Sequence, residues 1–477
     1  MTNSQPGEKQ LLKRELGLFD LTLFYIAGGL SLRWIATAAA AGPSTILVWI
    51  FACLFFFVPL AASVLELSAR YPQEGGLYVW TQRAFGDFSG FLVAWMYWMS
   101  NLPFFPAVLY FGAGSLLFAL PHGQKLTNTS NYYLLFALVC LAVITLFNVR
   151  GLKFGKWLNS IGALGSWGPI IILMILAGVS VFRFGSATKF TVATMTPHAS
   201  LRNAIFWSTV FFAFGGCETG SFMSEEIKNA RRTIPRALIV SGILLAGSYI
   251  AGTIALLVAL PSAEISGLGG FVSAIQVMCA RLGLLWIVLA IALLVALNSV
   301  GGAASFLSST SRLPFVAGID RYLPKAFGKV HPQWGTPWIA VICYGVAGML
   351  CALLSQAGST VQSAYDLLVS MSIITYFIPF LYLFLAMIRL QREPFPQGVA
   401  RVPGGKPVAI VLAVVGLITT SLTIVLAVIP SSDEPHKTIA IAKVLGSTLL
   451  LIGAGVAVFW GTAWRNRNTE SRAQLPN

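Results

Sequence analysis

Charge is what this chain has least of. Asp, Glu, Lys and Arg make up 10% of its 477 residues, against roughly 25% in soluble globular domains. That excludes an ordinary soluble fold. Cysteine is sparse as well: Cys53, Cys140, Cys217, Cys279, Cys343 and Cys351 lie in or beside apolar segments with no close pairs. Such spacing suits neither a disulfide framework nor a metal cage. The four histidines, His122, His198, His331 and His436, are scattered over loops, so no metal site can be built from them and no cofactor is expected. No Gly-x-x-x-x-Gly-Lys-Ser/Thr loop occurs, which excludes nucleotide-driven chemistry of that type. No cluster of His, Asp or Cys collects at a membrane face as an embedded enzyme would need. A non-enzyme is expected. Alternating segments of about ten residues do not recur, which argues against a β-barrel. The polar start of the chain lacks the short apolar core and small-residue site of a cleaved signal peptide.

What is there is apolar. Hydrophobic residues account for 57% of the chain, in long runs from Phe19 to about Trp464. The expectation is an all-α polytopic membrane protein of about twelve transmembrane helices, given the length that a bilayer core demands. The spans are placed at 19–41, 44–68, 88–120, 132–149, 157–182, 203–224, 237–260, 284–308, 337–355, 361–388, 408–429 and 439–463. The net charge of +15 is topological rather than a sign of nucleic-acid binding. Most lysines and arginines fall in alternate loops, as in Arg150, Lys153 and Lys156, then Lys228, Arg231, Arg232 and Arg236, then Arg312, Arg321, Lys325 and Lys329. The positive-inside rule therefore puts both termini in the cytoplasm of a cell membrane.

Two apolar runs contain the same interruption. Phe211–Glu218 reads Phe-Phe-Ala-Phe-Gly-Gly-Cys-Glu, and Phe24–Ser31 reads Phe-Tyr-Ile-Ala-Gly-Gly-Leu-Ser. Adjacent glycines weaken a helix, and a carboxylate within a span is costly. Breaks at this depth survive where the freed backbone lines a cavity or is buried in protein. Paired breaks in corresponding places of two halves point to the substrate site of a transporter. A channel would show repeated pore-lining rings instead. Gly28, Gly29, Leu30 and Ser31 of the first break, and Gly215 and Gly216 of the second, are the candidate substrate-binding backbone. Arg33 lies about ten residues before the expected span end at Gly42-Pro43 and is expected to face the bundle interior, with snorkelling to the interface as the alternative. Phe214 is expected to cover substrate, and Glu218 to gate or couple by binding a proton or to anchor a backbone group of the broken helix. Asn101 joins this set from the third span.

Three segments carry a family resemblance. Glu66-Leu67, Tyr71-Pro72 and Gly75-Gly76-Leu77-Tyr78 closely resemble the signature after the second helix of the amino acid–polyamine–organocation (APC) transporter superfamily. Phe211–Glu218 with Glu225-Glu226 and Asn229–Ala237 resembles its sixth helix and exit loop. Arg312 through Asp320, Arg321, Leu323-Pro324, His331-Pro332 and Thr336-Pro337 resembles its loop between helices eight and nine.

The resemblance implies a five-plus-five inverted repeat of the LeuT-like kind, with broken helices 1 and 6 and two appended helices. It divides the chain into a cytoplasmic tail at 1–16, repeats at 17–200 and 201–390, the last helices at 391–464 and a cytoplasmic tail at 465–477. Function is then secondary active transport of amino acids by alternating access, as an exchanger or proton-coupled. The alternative is a polyamine or organic-amine permease of the same fold. Two departures stand out. The usual Gly-Ser-Gly of helix 1 is here Gly28-Gly29-Leu30, and Ser166 falls where some branches carry a lysine that couples to protons. Arg33 and the lack of an acid after Asp20 in the first helix disfavour a polycation. The partners expected are a small-molecule substrate and the lipid bilayer, with no nucleic acid and the oligomeric state left open.

Overall fold

The computed structural model describes residues 12–120, 122–197, 201–265, 270–320, 322–355, 361–396, 398–429 and 437–473; His198 and His436 lie outside them. Every regular element among these residues is helical, and their one pairing of extended chain is an isolated parallel bridge between Leu16 and Ile227. The chain enters as α1 (Leu18–Gly29), breaks at Leu30-Ser31 and continues as α2 (Leu32–Ala40), bent by 41°. Next come α3 (Thr45–Ala52) and α4 (Val58–Arg70), made continuous by a π-helical turn at Cys53–Phe57. The short α5 (Leu77–Phe85) follows.

The long third apolar run is two helices, α6 (Asp87–Ser100) and α7 (Phe104–Leu116), parted at Asn101–Pro103. Pro103 and Pro106 lack the N–H groups that would carry the helix ladder across the junction. Then follow α8 (Ser130–Val149), α9 (Leu152–Phe184), the single turn α10 (Val192–Met195) and α11 (Leu201–Phe212). After the second break the chain runs through α12 (Ala230–Ala259), α13 (Gly270–Leu282), α14 (Trp286–Thr310), α15 (Arg312–Ile319) and α16 (Trp338–Ser355). It ends in α17 (Val361–Leu390), α18 (Gly405–Val428) and α19 (Lys437–Ala473).

Eight helical stretches among the described residues are long and apolar enough to cross a bilayer, nine if α1 and α2 form one bent span. Their outer faces expose large apolar side chains. Leu135, Val139, Val143 and Leu146 form an exposed stripe along α8, which suits hydrocarbon and not water. α1 lies at the centre, packed on α9, α12 and α14. Small residues permit this crowding. A Cβ on Gly162 would lie 2.7 Å from Gly301 Cα, and one on Gly165 would lie 2.5 Å from the Leu294 carbonyl. The two breaks are thus brought to the middle of the bundle.

Candidate functional site

The second break is built by glycine. After α11 the chain turns through i→i+3 bonds from Ala213, Phe214 and Gly215 to Val210, Phe211 and Phe212. Gly216 has φ +107°, a left-handed conformation that residues with a Cβ rarely adopt. A Cβ on Gly215 would lie 2.5 Å from Tyr376 Oη. The chain resumes as a 3₁₀ run at Thr219–Glu226 rather than an α-helix. Ser and Thr hydroxyls hold this tighter coil: Thr219 donates to the Gly216 carbonyl at 2.5 Å and Ser221 to the Glu218 carbonyl at 2.6 Å.

Glu218 is fully buried and fully engaged. Its Oε1 accepts from the hydroxyls of Tyr97 and of Tyr376, the latter at 2.7 Å, and its Oε2 accepts the Gly216 N–H at 3.2 Å. A carboxylate drawn from one break thereby ties α6, α17 and the turn itself together. Tyr97 and Tyr376 come from helices far apart in sequence, so the triad was invisible until the chain folded.

The first break is stitched by a residue that sequence reasoning missed. Tyr249 on α12 accepts the Ser31 N–H at 3.1 Å and directs its hydroxyl at the Gly29 carbonyl (2.6 Å) and the Ala213 carbonyl (3.1 Å). One hydroxyl therefore spans both breaks. Trp49 fixes its ring by stacking, with centroids 4.5 Å apart and planes at 7°. Asn298 on α14 donates to the Leu30 carbonyl at 3.1 Å and to Ser166 Oγ at 2.5 Å. Asn298 is a part of the break, and Ser166 supports it from α9. Nothing in the local sequence of Tyr249 or Asn298 marks this role, because each bonds backbone from a distant segment. Tyr249→Phe keeps the stacking and removes these bonds. It is expected to lower stability by about 1–3 kcal/mol, from roughly 1 kcal/mol for each hydrogen bond, read as a drop in melting temperature of the purified protein. A melting curve unchanged from wild type would show that the stitch contributes nothing.

Between the breaks lies a cavity of about 30 Å³. Gly28, Gly29, Leu30, Ser31, Arg33, Asn101 and Gly215 line it, as does Asn298. Phe214, Gly216 and Glu218 are not among its lining residues. Phe214 points away, into a cluster with Phe57, Trp49 and Tyr249 at 5.3, 5.5 and 5.6 Å. Phe212 takes the wall position instead, edge-on to Trp34 and to Tyr376. Arg33 is buried, with its guanidinium 4.2 Å above the Trp34 ring. It is the one charged residue in the lining among the described residues. Ser31 Oγ is buried with no hydrogen-bond partner. The first N–H groups of α2 lie at the same place, with the positive end of that helix. Gly29 and Leu30 carbonyls, by contrast, are already engaged by Tyr249 and Asn298, so the broken α1 offers fewer open acceptors than the sequence suggested. The volume holds about two waters; a larger solute requires the walls to part.

One end of the bundle is shut around the start of the described chain. The Glu15 and Leu16 N–H groups both donate to the Glu226 carbonyl, at 3.0 and 3.1 Å, and Lys228 N–H donates to the Leu16 carbonyl at 2.9 Å. Beneath them Arg312 and Glu226 form a buried two-point ion pair, with Nε to Oε1 at 2.6 Å and Nη2 to Oε2 at 3.0 Å.

Comparison with known proteins adds the following. The family model described as amino acid permease matches residues 16–453. An uncharacterized transporter of Legionella pneumophila is 28% identical over 447 residues, which are 92% of this chain and 95% of that protein. The Lactococcus lactis protein named "Probable agmatine/putrescine antiporter AguD" is 25% identical over 446 residues, 92% of this chain and 94% of the relative. The glutamate/serine transporter AimA of Bacillus subtilis is 26% identical over 346 residues, 68% of this chain and 63% of the relative.

Proposed function

The chain belongs to the amino acid permease family within the APC superfamily, and from that premise we propose that it moves amino acids across the cell membrane by alternating access. The observation that carries this reading is the cavity at the junction of the two helix breaks, whose sole charged lining residue among those described is Arg33. A substrate carboxylate is received by Arg33, the opening amides of α2 and the Ser31 hydroxyl. A guanidinium and a helix N-terminus both favour an anionic group. No carboxylate among the described residues lines the cavity to receive a polycation. The substrates are therefore amino acids with neutral or acidic side chains.

In this reading α1–α2 and α11 with its 3₁₀ continuation are the broken helices 1 and 6 of two inverted five-helix repeats, and α18 and α19 are appended. The shut end carries Arg14, Arg70, Lys228, Arg231 and Arg232, and the positive-inside rule assigns it to the cytoplasm. Transport proceeds as exchange or with protons. The Ser166–Asn298 bond occupies the place given to a coupling lysine in other branches, which favours a route that does not use one. Phe214 and Glu218 act behind the cavity wall: Glu218 holds the turn through its two tyrosines, and Phe214 packs the turn against α12. The Lactococcus relative keeps one alternative in play, an organic-amine permease on the same scaffold.

The test is counterflow in liposomes loaded with a panel of unlabelled amino acids and amines. Neutral or acidic amino acids are expected to drive uptake of their labelled forms. Arg33→Gln is expected to raise KM at least about tenfold, the loss of a charge-assisted bond of roughly 1.5 kcal/mol or more. Uptake driven by putrescine or spermidine and by no amino acid would replace this reading with the amine one.

A further inference from the structure

Glu74 lies in the Tyr71–Gly76 loop between α4 and α5, and substrate handling as described makes no use of it. Its side chain is buried, with 5% of the residue exposed. The loop is pressed onto the 3₁₀ run Thr219–Glu226. The Gly75 N–H donates to the Phe222 carbonyl at 3.1 Å, and the Glu225 N–H donates to Glu74 Oε2 at 2.9 Å. Gly76 has φ +41°, and a Cβ there would lie 2.2 Å from Ser221 Oγ. The other oxygen, Glu74 Oε1, is buried with no hydrogen-bond partner.

The nearest cation is already committed. Arg312 closes its fork on Glu226, and its remaining nitrogen donates to the Ser308 carbonyl and to Ser311 Oγ. Other charged groups stand at this end, with Arg231 and Arg232 lining the surface cleft that also holds Glu225 and Lys228 following the 3₁₀ run. Glu225, from the 3₁₀ run, is half-buried, and Arg14, from the N-terminal segment, lines a surface cleft with it. Glu15 extends from the same segment. Tyr78 is bonded to Asp320, and Arg70 to Glu66 and the Leu390 carbonyl. No described lysine or arginine forms an ion pair with Glu74. Of the two buried carboxylates, Glu226 takes the guanidinium and Glu74 is left without an ion pair among the described residues.

We propose that Glu74 is a proton-binding site that governs this end of the transporter. With a proton on Glu74, the Glu74–Glu226–Arg312 cluster is neutral and the end stays shut. Loss of that proton to water leaves one net negative charge inside a packed interface, and the end opens. Burial first, and then the charge of Glu226, hold the Glu74 carboxyl well above the ordinary carboxylate range, against the opposing pull of Arg312. In an opened end Glu74 is hydrated and titrates in the ordinary carboxylate range. The closed state therefore binds the proton more tightly. Its advantage is complete below the ordinary range and is lost as pH rises through the raised value. The inference rests on the transport reading only for which compartment supplies the proton.

Hydrogen exchange of the full-length protein in lipid nanodiscs, corrected for the intrinsic pH dependence of exchange, tests it without any substrate. Wild-type amides at Thr219–Lys228 are expected to lose protection from mildly acidic to mildly alkaline pH, with a slope approaching about tenfold per pH unit. Glu74→Gln, which keeps the shape and cannot ionise, is expected to remain protected throughout. Glu226→Gln hands Arg312 to Glu74 and is expected to move the midpoint to lower pH. A flat wild-type profile, a wild-type slope in Glu74→Gln or an unmoved midpoint in Glu226→Gln overturns the proposal. Should Glu74→Gln fail to fold, the Glu226→Gln midpoint decides alone. Counterflow on the same samples reports separately on transport, so failure of the substrate reading leaves the proton result standing.

Discussion

Arg312→Ala is expected to destabilise the protein by about 3–5 kcal/mol, the range for stripping one partner from a buried ion pair. Arg312 and Glu226 side chains are each 1% exposed, so water cannot replace the lost guanidinium. Alanine leaves Glu226 and Glu74 buried together without a cation. It also frees the Ser308 carbonyl and Ser311 hydroxyl that the arginine had engaged. The readout is the melting temperature of detergent-purified protein. Acidification is expected to restore part of the loss, because protonation removes buried charge. Replacing both partners together, as Arg312→Met with Glu226→Gln, is expected to recover most of it, since neutral groups need no counter-ion. If Arg312→Ala melts with wild type, this end of the bundle is not held by its ion pair.

Glu218→Ala is expected to reduce transport by at least an order of magnitude. The side chain accepts three hydrogen bonds, from Tyr97, Tyr376 and the Gly216 amide, and bonds to a charged acceptor contribute about 1.5–3 kcal/mol each. Their loss leaves three buried donors without an acceptor and frees the turn that joins α11 to the 3₁₀ run. Tyr376 also lines the cavity, so the cavity wall loosens with it. Glu218→Gln retains one acceptor oxygen and is expected to fall between alanine and wild type. Initial rates of counterflow discriminate the series. An alanine variant with wild-type rates would remove Glu218 from any gating or coupling role.

Several features of this site were legible from composition alone, because the penalties involved are large and local. Two glycines together in an apolar run and a carboxylate in the same run are both unfavourable in a membrane helix, so each marks a place where the helix cannot be ordinary. The structure puts Gly28, Gly29, Ser31, Arg33 and Gly215 around one cavity. Phe214 is the instructive exception. It and Phe212 are aromatics of equal hydrophobicity separated only by Ala213, and sequence has no means of ranking them. The i→i+3 turn that follows Phe212 rotates Phe214 out to Trp49 and leaves Phe212 against Trp34. The second half of the break is a 3₁₀ coil for a related reason. Ser and Thr hydroxyls recapture backbone carbonyls three residues back, a competition that apolar periodicity does not register.

By itself the sequence determined that the chain lives in a membrane, is helical and is broken twice at matching glycine pairs. These follow from solvation energies that each residue carries wherever it sits. Tertiary structure alone decided what completes the site. Tyr249 reaches across to both breaks, Asn298 and Ser166 hold the first, Tyr97 and Tyr376 engage Glu218, and Arg312 is taken by Glu226 while Glu74 is left without a cation. Each is a hydrogen bond or ion pair between residues distant in sequence, with a strength set by distance and burial. Neither exists until the helices have packed.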